Sequence, residues 1–361
     1  MASPLMHEKK IVTLIFCITI LVFLPEEIVP GNILTGWHVK NRFQVGAEID
    51  DNIYESRYDP ISEPSLRFLL QTSGNKQFSR LNFSFRITGG YQGYEKQARE
   101  DKFTGESQFS SELKLNNAVF AGINFQWRTK FFIYEPIDYS LLTSNFYTRF
   151  VLPLQTALFI FYRPHSLNYR ASTFYDFQGT ELGLALSKNI SRHLVLEASL
   201  SQNQLKYQRN IYKLGAPNQL IYQNEQQLDN LSLFSFQASY LSFFLVKLGY
   251  FYEDNQSNNF GFSYQKHYWG FNTSKKFFSH YLIQFYLTFQ NKKYKDQFGP
   301  FFQMQLDTEQ EENNCFIIDI SRSFTSNISI FLRYGYYKNE SPFRSEFYQK
   351  QLITSGLEIR F

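Results

Sequence analysis

The last fifteen residues, Phe347 to Phe361 (FYQKQLITSGLEIRF), alternate between two unlike faces. Laid out as an extended strand, Phe361, Ile359, Leu357 and Ile353 share one side, and Arg360, Glu358, Gly356 and Thr354 share the other. Successive side chains of a strand point to opposite faces, so this segment belongs between an apolar and a wet medium. Chain ends of soluble proteins are usually frayed and polar, and an amphipathic strand ending on Phe departs from that. An ordinary core strand that stops at the terminus accounts for the same residues, so the rest of the chain has to decide.

The same alternation recurs upstream. Leu81, Phe83, Phe85 and Ile87 alternate with Asn82, Ser84, Arg86 and Thr88. Val119, Ala121, Ile123, Phe125 and Trp127 alternate with Phe120, Gly122, Asn124, Gln126 and Arg128, and Tyr281, Ile283, Phe285, Leu287 and Phe289 do so near the end. A soluble sandwich also alternates, but its outer face is more heavily charged than these Ser, Asn and Gln sides. Leu158 to Phe161 and Leu241 to Leu245 break the rule by being apolar on both faces. Lumen contacts, a subunit interface or a shifted register would each explain them.

Turn residues punctuate the pattern. Tight turns are expected at Thr72–Gln77, Leu115–Ala118, Leu152–Gln155, Ser187–Arg192, Ser239–Ser242, Asn272–Ser279 and Ser321–Asn327. Longer connections are expected at Asp51–Glu63, Tyr91–Phe103, Glu135–Ser144, Arg163–Tyr175, Lys206–Gln226, Asp254–Asn259, Lys292–Asn313 and Lys338–Glu346. Short turns on one rim and long loops on the other describe an all-β, antiparallel transmembrane barrel of about 16 strands, with 14 and 18 as the neighbouring counts.

Composition agrees. Aromatic residues make up 19%, with 40 Phe and 25 Tyr against 3 Trp. The one continuous apolar run, Ile11 to Leu24, follows Lys9 and Lys10 and is too short for a comfortable spanning helix. It reads as the core of a secretory signal covering residues 1–31, with the barrel in 32–361. Removing Lys9, Lys10, Glu8, Glu26 and Glu27 with that leader moves the formal charge from +4 to +5, too mild for a nucleic-acid binder. Cys17 would leave as well, so Cys315 would remain alone and the fold would be held without a disulfide.

If the apolar faces meet lipid, the lumen receives Lys40, Arg42, Arg67, Arg86, Lys114, Arg128, Lys130, Arg149, Lys247, Arg333 and Arg360. It also receives Glu48, Glu112, Glu181, Glu197, Asp319 and Glu358. The basic excess would favour anionic solutes, with Arg42, Arg67, Arg86, Arg128, Arg149, Lys247 and Arg333 as the candidate lining. Mutual pairing of these charges is the competing reading, and the better one on general grounds. Tyr91, Tyr94, Tyr336 and Tyr337 offer either sugar-stacking surfaces or an interfacial girdle. Asp50, Asp51 and Asn52, like Glu309, Glu311 and Glu312, are acidic loop segments with no metal-ligand spacing, and no cofactor motif occurs. His165, placed in a loop after Pro164, and the scattered His38, His193, His267 and His280 do not make a hydrolase site.

The terminal strand resembles the closing strand of bacterial outer-membrane β-barrels. That likeness implies that Phe361, Ile359 and Leu357 are read by the barrel-assembly machinery and that the chain lies in an outer membrane against lipid. Phe43 to Ser56 (FQVGAEIDDNIYES) and Leu332 to Phe361 are similar to the first and last segments of porin-like barrels encoded with exopolysaccharide export systems. This second resemblance covers about a tenth of the chain. It implies a passive conduit or accessory for hydrophilic material, saccharide or polysaccharide included. A non-conducting barrel with adhesive or accessory loops is the alternative, and an outer-membrane hydrolase is the disfavoured third.

Overall fold

The computed structural model describes residues 36–56, 58–134, 138–170, 173–216, 219–278, 280–296, 314–339 and 348–361. Residues 1–31 and the acidic segment Glu309 to Glu312 lie outside them. Sixteen strands run in chain order: β1 His38–Asp50, β2 Glu63–Gln77, β3 Leu81–Tyr94, β4 Lys102–Lys114, β5 Val119–Phe132, β6 Tyr139–Leu152, β7 Thr156–Tyr169 and β8 Phe177–Asn189. They continue as β9 Leu194–Gly215, β10 Gln219–Leu241, β11 Leu245–Ser257, β12 Tyr264–Phe277, β13 Tyr281–Tyr294, β14 Asn314–Ser323, β15 Ile328–Asn339 and β16 Tyr348–Arg360. Each pairs with its sequence neighbours, and β1 pairs antiparallel with β16 to close the barrel. The expected count of about 16 is therefore met.

The alternation sorts the two faces as expected. Leu182, Leu184 and Leu200 stand 61%, 50% and 62% exposed on the outside, with Ile49, Leu66, Leu332 and Ile353 on the same face of their strands. Their inward neighbours are polar and often buried, such as Glu48 at 2% and Thr354 at 5%. A continuous outward apolar band over a polar interior is the signature of a barrel solvated by lipid. Aromatic residues ring its edges. Phe68, Tyr91 and Phe103 touch in series across β2, β3 and β4 near the loop rim, as do Tyr250, Trp269 and Phe289 across β11, β12 and β13. At the short-turn rim Lys76 lies over Trp37 and Phe78, Lys275 over Phe243 and Phe277, and Arg322 over Tyr281 and Phe324. Cations on aromatic platforms suit the level where acyl chains give way to headgroups.

Several boundaries differ from expectation. Thr72–Gln77 belongs to β2, so the first turn follows Gln77; Ser239 lies within β10, and Asn272–Phe277 within β12. Ser73, Asn75, Ser239, Asn272, Ser274 and Lys276 on these strands face the lumen, where water tolerates them, while Lys76 and Lys275 lie on the outer aromatic rim. Leu241 to Leu245 brackets the β10–β11 turn, and Leu241 and Phe243 are exposed at its rim. In β7, Leu158 and Ile160 face out while Phe159 and Phe161 face in, so lumen packing explains that doubly apolar run. Pro164 does not end β7. The β6–β7 register instead skips the positions opposite Arg163 and Pro164, which accommodates the missing proline N–H. The expected loop Lys206–Gln226 is mostly strand: β9 and β10 continue as a tall hairpin with a register shift between Gln223 and Leu228. Its outer face carries hydrogen-bonded polar pairs, Gln202 with Ser232 and Gln204 with Asn230.

At the closing seam Gly46 sits opposite Gly356 on the inner face, and the Phe331 ring of β15 covers both. A Cβ on Gly356 would meet the Val45 carbonyl oxygen at 2.3 Å, a backbone contact that cannot give way cheaply. The last bonds of the seam are Asn41 N–H to the Phe361 carbonyl at 2.9 Å and Phe361 N–H to the Asn41 carbonyl at 3.1 Å. Gly356→Val should therefore reduce the folded, heat-modifiable band of the refolded protein on cold SDS gels. Gly89→Ala, where nothing lies within 4 Å, should refold like wild type.

Candidate functional site

All 17 charged residues assigned to the lumen from the sequence lie on the inward face, since each shares its face with buried inward neighbours across the ladder. What the structure changes is their freedom. Arg67 bonds Glu48, which also accepts from Gln92 Nε2 at 2.9 Å and Thr354 Oγ1 at 2.7 Å. Arg149 grips Glu112 with two nitrogens, Nη2 at 2.6 Å and Nε at 3.1 Å. Arg333 Nη2 lies 2.7 Å from Asp319, Arg128 Nε 3.4 Å from Glu106, and Arg42 Nε 3.3 Å from Glu358. Five of the seven candidate lining residues are thus ion-paired, so the inner wall is mostly compensated and the mutual-pairing reading describes these five. Most of these pairs join strands adjacent in the ladder, because carboxylate and guanidinium on neighbouring strands meet at the ~5 Å strand spacing.

The inner wall divides into two halves. Toward the loop rim it is packed: Tyr94, Phe132, Tyr139, Leu167, Tyr337 and Leu352 are buried inward apolar groups. Lys350 and Asp50 form a buried pair at 2.9 Å in the same layer. Asp50 also accepts from the Asn52 N–H at 3.0 Å, and Asp51 accepts from the Gln351 N–H at 2.6 Å. These carboxylates are consumed by the fold, and the weak cation-site reading of Asp50, Asp51 and Asn52 finds no geometry here. At the base of the tall hairpin Arg209 lies over Phe174, Tyr207 and Phe262 and bonds Gln227 at 2.7 Å, while Gln227 donates to Asp229 at 2.9 Å.

Toward the short-turn rim the wall opens. Lys40, Arg86, Lys114, Lys247 and Lys276 are exposed to the lumen there, and among the described residues none has a carboxylate partner. The uncompensated charge is concentrated in this vestibule, with Arg86 and Lys247 as the two sequence candidates in it. Lys276 escaped the sequence reading because it was assigned to a turn. Arg163, paired with Glu181 at 2.8 Å, escaped because Pro164 suggested a loop.

The loop rim is fixed by a repeated clamp. The aspartate immediately before a strand accepts the N–H of the residue ending the previous strand: Asp101 from Tyr94 at 2.8 Å, Asp138 from Phe132 at 2.8 Å and Asp176 from Tyr169 at 2.6 Å. An aromatic followed six or seven residues later by Asp is the sequence signal that marks it. Of the tyrosines proposed for sugar stacking, Tyr91 and Tyr336 face outward in the girdle and Tyr94 and Tyr337 face inward, buried. His165 lies in β7 rather than a loop, edge-on to Phe177. His267 faces outward, its Nδ1 2.9 Å from the Tyr250 hydroxyl and its ring stacked on Trp269. His193, near a turn as expected, places Nδ1 2.8 Å from the Leu241 carbonyl. Leu357, Ile359 and Phe361 face outward on the closing strand.

No protein-family model matches the chain. No curated protein matches it either. Among solved structures the chain is similar to a loop-deletion mutant of OmpT, an outer membrane protein of Vibrio cholerae. The identity is 10% over 90% of this chain and 100% of that one, with a TM-score of 0.47. It is also similar to OccAB2 of Acinetobacter baumannii, at 10% identity, 92% and 100% coverage and a TM-score of 0.44. A bacterial polysaccharide outer membrane secretin is similar at 9% identity, 89% and 98% coverage and 0.43. At these identities and scores nothing about solute or partner passes to this chain, whose architecture rests on its own strand register.

The clamp makes a local prediction. Asp101→Ala removes a charge-assisted bond worth about 1.5–3 kcal/mol. Trypsin should then cut after Lys96 or Arg99, both exposed in the loop that Asp101 closes, at least about tenfold faster. The barrel should remain heat-modifiable.

Proposed function

We propose that this chain is an outer-membrane, porin-like channel that passes small hydrophilic solutes by diffusion and carries no chemistry of its own. The observation that supports this reading is the vestibule: an exposed, water-facing inner wall whose lone cations meet no carboxylate, inside a barrel whose outside is apolar. Enzymes need groups set at reacting distance with perturbed proton affinity. Here most inward carboxylates are bonded to arginine or lysine, with Glu197 accepting from the Ser187 hydroxyl, and the histidines are dispersed.

In this reading the short-turn rim faces the periplasm, the closing strand with Leu357, Ile359 and Phe361 is the segment the assembly machinery recognises, and residues 1–31 are removed on export. The solutes are hydrophilic and anionic or saccharide in kind, because the unpaired lumen charges are mostly positive, Glu197 being an acidic exception, and their surroundings are amides and hydroxyls. The alternative is a barrel closed at the packed loop-rim layer, acting through its loops as an accessory of polysaccharide or protein secretion. The buried Lys350–Asp50 layer favours it.

Single-channel recording of the refolded mature chain in a planar bilayer under a salt gradient decides between the two. A stable conductance with anion preference is expected. Glu112→Gln should deepen that preference by freeing Arg149, and Lys247→Gln with Lys276→Gln should lessen it. A correctly folded barrel with no conductance would overturn the channel and leave the accessory role.

A further inference from the structure

The strand register resolves the vestibule further. One inward row runs His38, Asn75, Ser84, Ser110, Asn124 and Asn145 across β1 to β6. The row beside it runs Lys40, Ser73, Arg86, Gln108, Gln126 and Thr143. Across these two rows every inward side chain is an amide, a hydroxyl, an imidazole or a cation, and none is acidic. The rows line a recess of about 510 Å³ that includes Lys40, Arg86 and the amides of Asn75, Gln108, Asn124 and Gln126.

The flanking rows supply two carboxylates, Glu112 beside Ser110 and Glu106 beside Gln108, and both are already engaged, Glu112 by Arg149. Glu106 Oε1 accepts from Gln108 Nε2 at 2.6 Å, from Gln126 Nε2 and from Arg128 Nε at 3.4 Å. Each glutamine –NH2 group spends one hydrogen on Glu106, which fixes the amide so that its carbonyl oxygen can accept from a ligand hydroxyl. Ser110 is likewise bonded to Asn124 Oδ1 at 2.6 Å, which leaves the Asn124 amide hydrogens as donors. Lys40 and Arg86 flank Ser73, two strand spacings or about 9–10 Å apart. Neither has a partner among the described residues, so a ligand anion need not displace an existing ion pair.

We infer that this recess is a binding site for an acidic sugar, with Arg86 and Lys40 holding the carboxylate and the amide and hydroxyl rows holding the ring hydroxyls. The guanidinium of Arg86 presents paired N–H groups that match a carboxylate, and the fixed orientation of the amides supplies both donors and acceptors at the spacing of a pyranose ring. The role of the site as a solute-loading step rests on the channel reading above, but its binding chemistry does not.

The test is calorimetric titration of the refolded, detergent-held mature barrel with trigalacturonate and, separately, with maltotriose, alongside conductance of the same preparation. Trigalacturonate is expected to bind at least tenfold more tightly than maltotriose. Arg86→Gln with Lys40→Gln should lower its affinity at least tenfold, and Lys188→Gln, a charge loss on the outward face, should leave it unchanged. Both altered residues are exposed, and heat-modifiability checks that the double variant folds. Equal binding by wild type and the double variant, or equal affinity for the neutral and acidic sugars, overturns the site. Conductance without trigalacturonate binding sinks the site and keeps the channel, whereas binding without conductance keeps the site and sinks the channel.

Discussion

A strand in hydrocarbon has nowhere to put an unpaired N–H or C=O, and the whole architecture follows from meeting that constraint. Sixteen strands bond only to neighbours in sequence except once, where β1 meets β16. That single non-local pairing brings residues some 300 positions apart into register, as in Gly46 with Gly356 and Glu48 with Thr354. Its inner surface is made smooth by two glycines and then covered by Phe331, while the Glu48 carboxylate ties β2, β1 and β16 together through Arg67 and Thr354. Closure costs a long loop's entropy and leaves no edge for another chain to use.

Charge in the lumen is organised by height. In the loop-rim half it is paired and packed among aromatic rings. Most arginine–carboxylate contacts in the barrel join strands adjacent in the ladder, whereas Arg149 reaches across β5 to Glu112. In the short-turn half paired groups, Arg149 with Glu112 and Arg42 and Arg360 with Glu358, stand beside the exposed Lys40, Arg86, Lys114, Lys247 and Lys276, for which no carboxylate partner occurs among the described residues. A paired wall adds rigidity with little net field, and an unpaired one sets the potential that a solute meets.

Period-two alternation carried most of the fold, since it reports which face meets lipid regardless of where a strand begins or ends. Every strand face read that way, from Leu81–Ile87 to Leu357–Phe361, lies as expected. Boundaries were less legible for a physical reason: Ser, Asn and Lys in a water-filled barrel serve equally as turn residues and as lumen lining, so Thr72–Gln77 and Asn272–Phe277 look like turns while forming strand. Pro164 misled in the same way, because one skipped ladder position suffices to keep it in β7. The site was half legible. Facing follows from spacing, but whether Arg149 is free or held by Glu112 depends on cross-strand register, which single-strand patterns do not contain.

The outer face of the tall hairpin changes character within one step, from Leu200 and Phe234 to the bonded polar pair Gln202 and Ser232. On that side of the barrel the lipid-facing surface ends abruptly, and the polar pairs above it resist immersion. A bilayer thicker than the apolar band would be pinched at β9 and β10 before it was strained elsewhere. The asymmetry would tip the barrel axis rather than sink it evenly, so the thickness of the surrounding membrane becomes a variable that sets the tilt of the barrel.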